Sequence, residues 1–300
     1  PPIARTLATH LEPYMAQADL VHNVRIGREG LSYASYQMAQ QFDVPFVLTP
    51  VHHPRWQGWR YRAYNRLYRL ADAVIALTEA EKRILIGLGV AETRIHVTGH
   101  GPLVAETADP QAFLQQHGLS DAPVILFLGQ HYLYKGFAQL LAAARLVWQQ
   151  EPAAQFVFIG PPVGDSEQFF AAQQDPRIHR LGKVSLREKT DALAACTLLC
   201  VPSTQESFGG VYTEAWMFEK PVIGCDIPAV AEVISAGEDG FLVAQEPELI
   251  AARICDLLRN PGDALHMGRQ GRAKVERLYT WEILARRTEA VYETVTGAGS

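Results

Sequence analysis

Short apolar strands alternating with longer helical stretches make this chain an α/β protein of doubly wound parallel sheets. Two observations carry that fold class. The strand candidates are β-branched and nearly unbroken in hydrophobicity, as parallel strands are when helices cover both faces. Helical patterns lie between most of them, as crossovers between parallel strands require. A third observation sets the domain count: residues 100–123 form a polar, Pro- and Gly-containing stretch that parts two such series and reads as a hinge.

In chain order, the first series offers strands at 20–24, 46–51, 73–78 and 96–99. The second offers strands at 124–129, 156–160, 180–182, 198–202, 222–226 and 241–243. Residues 280–293 then read as a terminal helix.

Composition narrows the class without naming a chemistry. At 300 residues and 48% hydrophobic, the chain can bury the cores of two domains. A net charge of −5 gives no reason to expect nucleic acid as a partner. No apolar run approaches the ~20 residues of a membrane-spanning helix. The amino-terminal residues show no basic-then-apolar signal pattern. Cys196, Cys200, Cys225 and Cys255 lack paired zinc spacing and read as core thiols of a reducing compartment, so a cytoplasmic location is expected.

The densest chemistry lies at 205–217, QESFGGVYTEAWM, between an apolar strand and the second strand that follows. Gly209 and Gly210 let backbone approach a ligand, and the first turn of the helix beyond them offers N–H groups to an anion. Glu206 and Glu214 flank that point. A carboxylate repels a bound phosphate, so these two read as holders of hydroxyl groups. Hydroxyl-holders around a phosphate-binding helix tip point to a nucleotide sugar. The alternative for Glu206 is a carboxylate capping the helix.

This stretch resembles the glutamate–seven residues–glutamate motif of the retaining, nucleotide-sugar-dependent glycosyltransferases of family 4, also called group 1. ADAVIALTEAEKRIL (71–85), FLGQHYLYKGFAQLLAAARLV (127–147), LGKVSLREK (181–189) and KPVIGCDIPAVAEVISAGEDGFLV (220–243) fall in the order that family shows them, so the resemblance covers most of the chain. It implies the GT-B fold of two Rossmann-like domains. Residues 1–100 would be the acceptor-side domain, incomplete because no Gly-rich turn precedes Leu20 and too few residues remain for its first strands. Residues 101–279 would bind the nucleotide sugar. Residues 280–300 would cross back to the first domain, with Trp281 as packing anchor.

The same resemblance implies retaining transfer of a hexosyl group from a UDP or GDP sugar to a sugar, lipid-linked or small-molecule acceptor. No cofactor and no metal are expected; no D-x-D occurs in the chain. Glu214 would hold the ribose and Glu206 the transferred sugar. Phe208 and Gly209 would offer backbone to the sugar, and Gly210 and Val211 amides to the diphosphate. Val184, beside Lys183, would edge the base.

Lys135 follows the strand that ends at Gly129, where open α/β sheets bind ligands, and would stabilise the leaving diphosphate. The alternative is a solvated lysine at a helix start. Where the family commonly has an arginine, this chain has Gln130, which can bond a phosphate oxygen but adds no charge. His53, favoured over His52, would face the donor sugar from the first domain; the alternative is a surface-loop histidine.

Residues 55–69 hold five arginines, Arg55, Arg60, Arg62, Arg66 and Arg69, interleaved with Trp and Tyr and without an acidic residue. They suit peripheral contact with the inner face of an anionic membrane, or a phosphate-bearing acceptor. Equally, they suit a solvated helix face whose aromatics pack inward. Two other functions stay open: a GT-B nucleotide-sugar epimerase and a non-catalytic nucleotide-sugar-binding protein. The presence of both Lys135 and Glu206 favours an enzyme. A nicotinamide dehydrogenase is disfavoured because no G-x-G-x-x-G opens a helix after a strand.

Overall fold

A computed structural model describes residues 2–24, 29–56, 58–119 and 122–298. The chain divides into two units, residues 1–100 with 281–300, and residues 101–280.

The first unit is built on a parallel sheet in the order β1 (Val21–Val24), β2 (Phe46–Thr49), β3 (Ala73–Ala76) and β4 (Ile95–Val97). Alternation along the central strands sorts their side chains onto two faces. Phe46, Leu48, Val74 and Ala76 pack with Leu67, Tyr68 and Leu85 on one side. Val47, Ala73 and Ile75 pack with Val291 on the other. Val291 belongs to the helix Trp281–Thr296, which is tied down further by His22. The two ring nitrogens of His22 meet the Tyr292 hydroxyl at 2.6 Å and Thr49 Oγ1 at 2.8 Å. Trp281 is not the anchor of this helix. It is 53% exposed, because it stands at the first turn, whereas Leu284 and Val291 are buried and Val291 packs on the sheet.

The second unit carries six parallel strands, β5 (Val124–Leu128), β6 (Gln155–Ile159), β7 (Ile178–Gly182), β8 (Leu198–Val201), β9 (Val222–Cys225) and β10 (Gly240–Val243). Their order across the sheet is β10-β9-β8-β5-β6-β7. Chain order therefore runs outward from β5 in one direction and from β8 in the other. Between those two strands lies the switch point, where the loops leaving their carboxyl ends diverge and a crevice opens. All ten strand candidates form strands, with ends that shift by no more than two residues.

Residues 101–123 are not a bare hinge. They hold the helix Pro110–Gln116, capped by Asp109, whose carboxylate accepts the Ala112 N–H at 3.0 Å. The stretch is bonded to the helix Leu186–Ala195 of its own unit, through Ala105 N to Thr190 Oγ1 at 2.9 Å and Asp109 N to Asp191 Oδ1 at 2.6 Å. All four cysteines are free and buried. Burial pushes the Cys196 thiol up to about 12, which fits an unreactive packing role.

Candidate active site

Two loops meet at the switch point. The first leaves β5 through Gly129 and Gln130, makes a single turn of 3-10 helix at Leu133–Lys135 and enters the helix Phe137–Val147. The second leaves β8 through Pro202 and enters the helix Gly210–Trp216. They are clipped together by their backbones. Tyr134 O accepts the Thr204 N–H at 2.8 Å, and Gln245 Nε2 bridges Tyr134 O at 3.0 Å and Pro202 O at 2.7 Å. Gly136 makes the crossing possible. It sits at φ 81°, and a Cβ there would lie 2.5 Å from Pro202 O. Gln245 follows β10, and no local sequence signal marks it for this task.

The crossing brings Lys135 and Glu206 together across 71 positions of sequence, Nζ to Oε1 at 2.5 Å, with side chains 20% and 12% exposed. Gly209 starts the helix at φ 85°, in the left-handed region, with the Tyr212 ring against its α-carbon. Tyr212 in turn donates its hydroxyl to Val201 O at 2.7 Å and locks the loop to the strand end. Phe208 is buried, its ring edge-on to Tyr279 at 5.3 Å, so its side chain serves packing and its backbone is what the loop can present.

Glu214 is buried in the same helix. Its Oε1 meets Lys189 Nζ at 2.8 Å, and Lys189 also donates to Leu103 O at 2.6 Å. Burial raises the Glu214 carboxyl above the usual range, and the Lys189 ammonium, with a smaller contribution from the Leu103 N–H, pulls it back. Its other oxygen, Oε2, has no hydrogen-bond partner among the described residues. Lys189 escaped the reading of the sequence, where it looks like an ordinary helix-surface lysine. Val184 is half-buried in the loop after β7, just before Ser185, which caps the next helix by accepting the Glu188 N–H at 3.1 Å. Gln130 is exposed and Gly129 half-buried.

His52 and His53 lie in the first unit, in the loop leaving β2. His52 is buried, with Nδ1 3.1 Å from the Tyr68 hydroxyl, and burial lowers it to about 4. It is thus a neutral core residue at neutral pH. His53 is half-buried beside the Trp56 ring, centroids 5.9 Å apart. Val51, just before them, has φ 50°, a strained value for a β-branched residue. Glu81 holds this turn, its two oxygens accepting the His52 N–H at 2.5 Å and the Leu77 N–H at 2.7 Å. Burial pushes the Glu81 carboxyl up to about 7.

The basic stretch resolves into two layers. Tyr64, Leu67 and Tyr68 of the helix Arg62–Leu70 are buried, and Trp56, Tyr61 and Tyr64 stack on one another at 5.9 to 6.4 Å. These aromatics pack inward. The five arginines are exposed, as is Trp59 at 77%.

The sequence and the fold are both similar to those of known proteins. Residues 122–260 match the family model described as glycosyl transferases group 1, and residues 3–101 match that of a glycosyl transferase 4-like domain. The chain is 27% identical over 290 residues to the alpha-maltose-1-phosphate synthase of Mycolicibacterium smegmatis, covering 85% of this chain and 74% of that protein. It is 32% identical over 180 residues to the phosphatidyl-myo-inositol mannosyltransferase of the same organism, covering 58% of this chain and 46% of that protein. Its fold is similar to that of Anabaena HepE, solved with UDP and glucose. The TM-score is 0.81 at 20% identity, over 95% of this chain and 81% of that one. The two family matches together take in most of the sequence, and the chain belongs to the group 1, or family 4, glycosyltransferases of the GT-B fold.

Proposed function

We propose that the chain transfers a hexosyl group, with retention, from a nucleotide diphosphate sugar to a sugar, lipid-linked or small-molecule acceptor, without a metal. The observation that carries this reading is the pairing of both motif glutamates with lysines in the second unit, Lys135 with Glu206 and Lys189 with Glu214, the first pair joining the loops that leave β5 and β8. Glu214, held on one oxygen, keeps the other for a ribose hydroxyl. Lys135 supplies positive charge to the departing diphosphate, and Glu206 accepts from hydroxyls of the transferred sugar. The Lys135–Glu206 pair is self-satisfied without ligand. A donor must therefore insert between them, diphosphate toward the ammonium and sugar toward the carboxylate.

Retention follows if the acceptor attacks from the face that the diphosphate leaves, with a phosphate oxygen taking the acceptor proton. For the lipid-linked acceptor, the support is the exposed Trp59 among five exposed arginines, which would rest on an anionic surface. The name of the phosphatidyl-myo-inositol mannosyltransferase relative points to a lipid of that kind in that protein.

The test is to screen UDP, GDP and their hexose conjugates for thermal stabilisation, then to follow transfer to candidate acceptors by NMR of the anomeric proton. The reading expects stabilisation by one nucleotide series, an axial product from an axial donor, and activity that survives EDTA. An inverted product, or activity lost on chelation and restored by Mg²⁺, would overturn the retaining or the metal-free part respectively.

A further inference from the structure

We propose that Lys189 is a positioning residue for Glu214: it fixes Oε1 and leaves Oε2 as the one oxygen that accepts from a ligand hydroxyl. This rests on the nucleotide-sugar reading above. Two observations carry it. Lys189 Nζ is pinned between Leu103 O at 2.6 Å and Glu214 Oε1 at 2.8 Å, with both side chains largely buried at 17% and 9% exposed. Glu214 Oε2 is buried and without a hydrogen-bond partner among the described residues, an unusual state for a carboxylate oxygen that no ligand is meant to meet.

Lys189 is also the charged group that acts on this carboxylate. Its neighbours are engaged elsewhere. Arg187 pairs with Asp191 and Glu188 with His117 on the side of the helix Leu186–Ala195. On the helix Pro261–Leu278, Arg269 pairs with Glu219, Arg272 with Glu276, and Lys274 with Asp239.

The chemistry is directional. An ionised carboxylate only accepts, and burial opposes ionisation. With the ammonium on Oε1 the charge persists and the plane of the carboxylate is set. Without it, only the Leu103 N–H is left to oppose burial, the carboxyl takes up a proton at higher pH, and the neutral acid offers a donor where an acceptor is needed. Affinity for a ribose-bearing ligand should then fall as pH is lowered through that higher value.

The proposal is tested in two arms on the full chain. In ligand-free protein, carbon-13 titration follows the Glu214 carboxyl, identified by the signal that Glu214→Gln removes. Lys189→Met should move its midpoint upward and Lys189→Arg should bring it back toward the wild type. A midpoint that Lys189→Met leaves in place overturns the proposal, whatever the nucleotides do. Lys189→Gln takes the place of Lys189→Met if the latter does not fold.

In the second arm, calorimetry measures UDP and GDP binding between about pH 6 and about pH 8. Lys189→Met should weaken the nucleotide that binds by about tenfold at the low end, and by less at the high end. Glu214→Gln should weaken it without that pH dependence, and the double variant should bind no worse than Glu214→Gln alone. Losses that simply multiply in the double variant overturn the positioning role. A wild-type chain that binds neither UDP nor GDP overturns the nucleotide-sugar reading instead, and the carboxyl titration still decides whether Lys189 governs Glu214.

Discussion

Lys135 and Glu206 show how a single contact changes what each residue is expected to do. Read from sequence, they are separate ligands, one for phosphate and one for sugar. In the structure, each is the other's partner at 2.5 Å, so the charge that Lys135 could offer a diphosphate is already shared. Glu206→Gln should therefore tighten binding of free nucleoside diphosphate, by a few-fold, because it frees the ammonium and removes an anion beside the phosphate. The same variant should lower sugar transfer. Lys135→Ala should cost more affinity for the diphosphate than for the nucleoside, by roughly 1–3 kcal/mol, since its partner is the charged group. Paired calorimetric titrations with diphosphate and nucleoside check both. Equal losses for the two ligands would make Lys135 a surface residue. Lys135 was legible because it follows a buried strand and precedes a glycine. Lys189 was not, because its meaning comes from a partner 25 positions away on another helix.

Among the elements, the helix Gly210–Trp216 depends on what stands behind it. Trp216 is fully buried and donates Nε1–H to Asp239 O at 2.9 Å. Lys274 forms an ion pair with the Asp239 carboxylate and donates to Val233 O and Ser235 Oγ, both at 2.9 Å. This buried network joins the helix Pro261–Leu278 to the turn before β10 and so backs the site helix. Lys274→Met leaves the buried Asp239 without a counter-charge, held only by the Ser235 N–H, and should cost about 3–5 kcal/mol of stability. Urea unfolding followed by circular dichroism measures it, and a loss below about 1 kcal/mol would show that the network is not cooperative. The positions of the strands and of most helices were legible, because hydrophobic runs and periodicity are local. Which loops cross was not, because Gly136 and Gln245 act only once β5 and β8 are paired and β10 has joined the same sheet beyond β9.

At the scale of the whole molecule, acid stability has a traceable origin in buried neutral histidines. His131 is buried among Phe127, Phe137 and Phe170, and neither ring nitrogen has a hydrogen-bond partner among the described residues. Burial lowers it from 6.5 to about 4, with Arg180 adding to the effect and Glu167 opposing it. A depressed folded-state value means the stabilisation is full above about 6.5 and is lost as pH falls toward 4. His131→Phe removes both the titration and two unsatisfied buried nitrogens. It should raise stability by about 1–2 kcal/mol near neutral pH, and its melting temperature should fall less than the wild type's across that acid window. Melting curves of the two proteins from neutral pH downward check this, and parallel declines would assign the acid sensitivity elsewhere, to His52 of the first unit among others. By itself, the sequence determined the α/β class, the ten strands, the division into two units near residue 100, and the Glu206–Glu214 motif, because apolar runs, glycine pairs and fixed spacings are properties of neighbouring residues. Only the tertiary structure decided that Tyr64 and Tyr68 pack inward while the arginines stay out, that Val291 rather than Trp281 anchors the last helix, and that each motif glutamate is met by a lysine. Those outcomes depend on burial and on charges meeting across distant segments, and such contacts exist only after the sheets have formed.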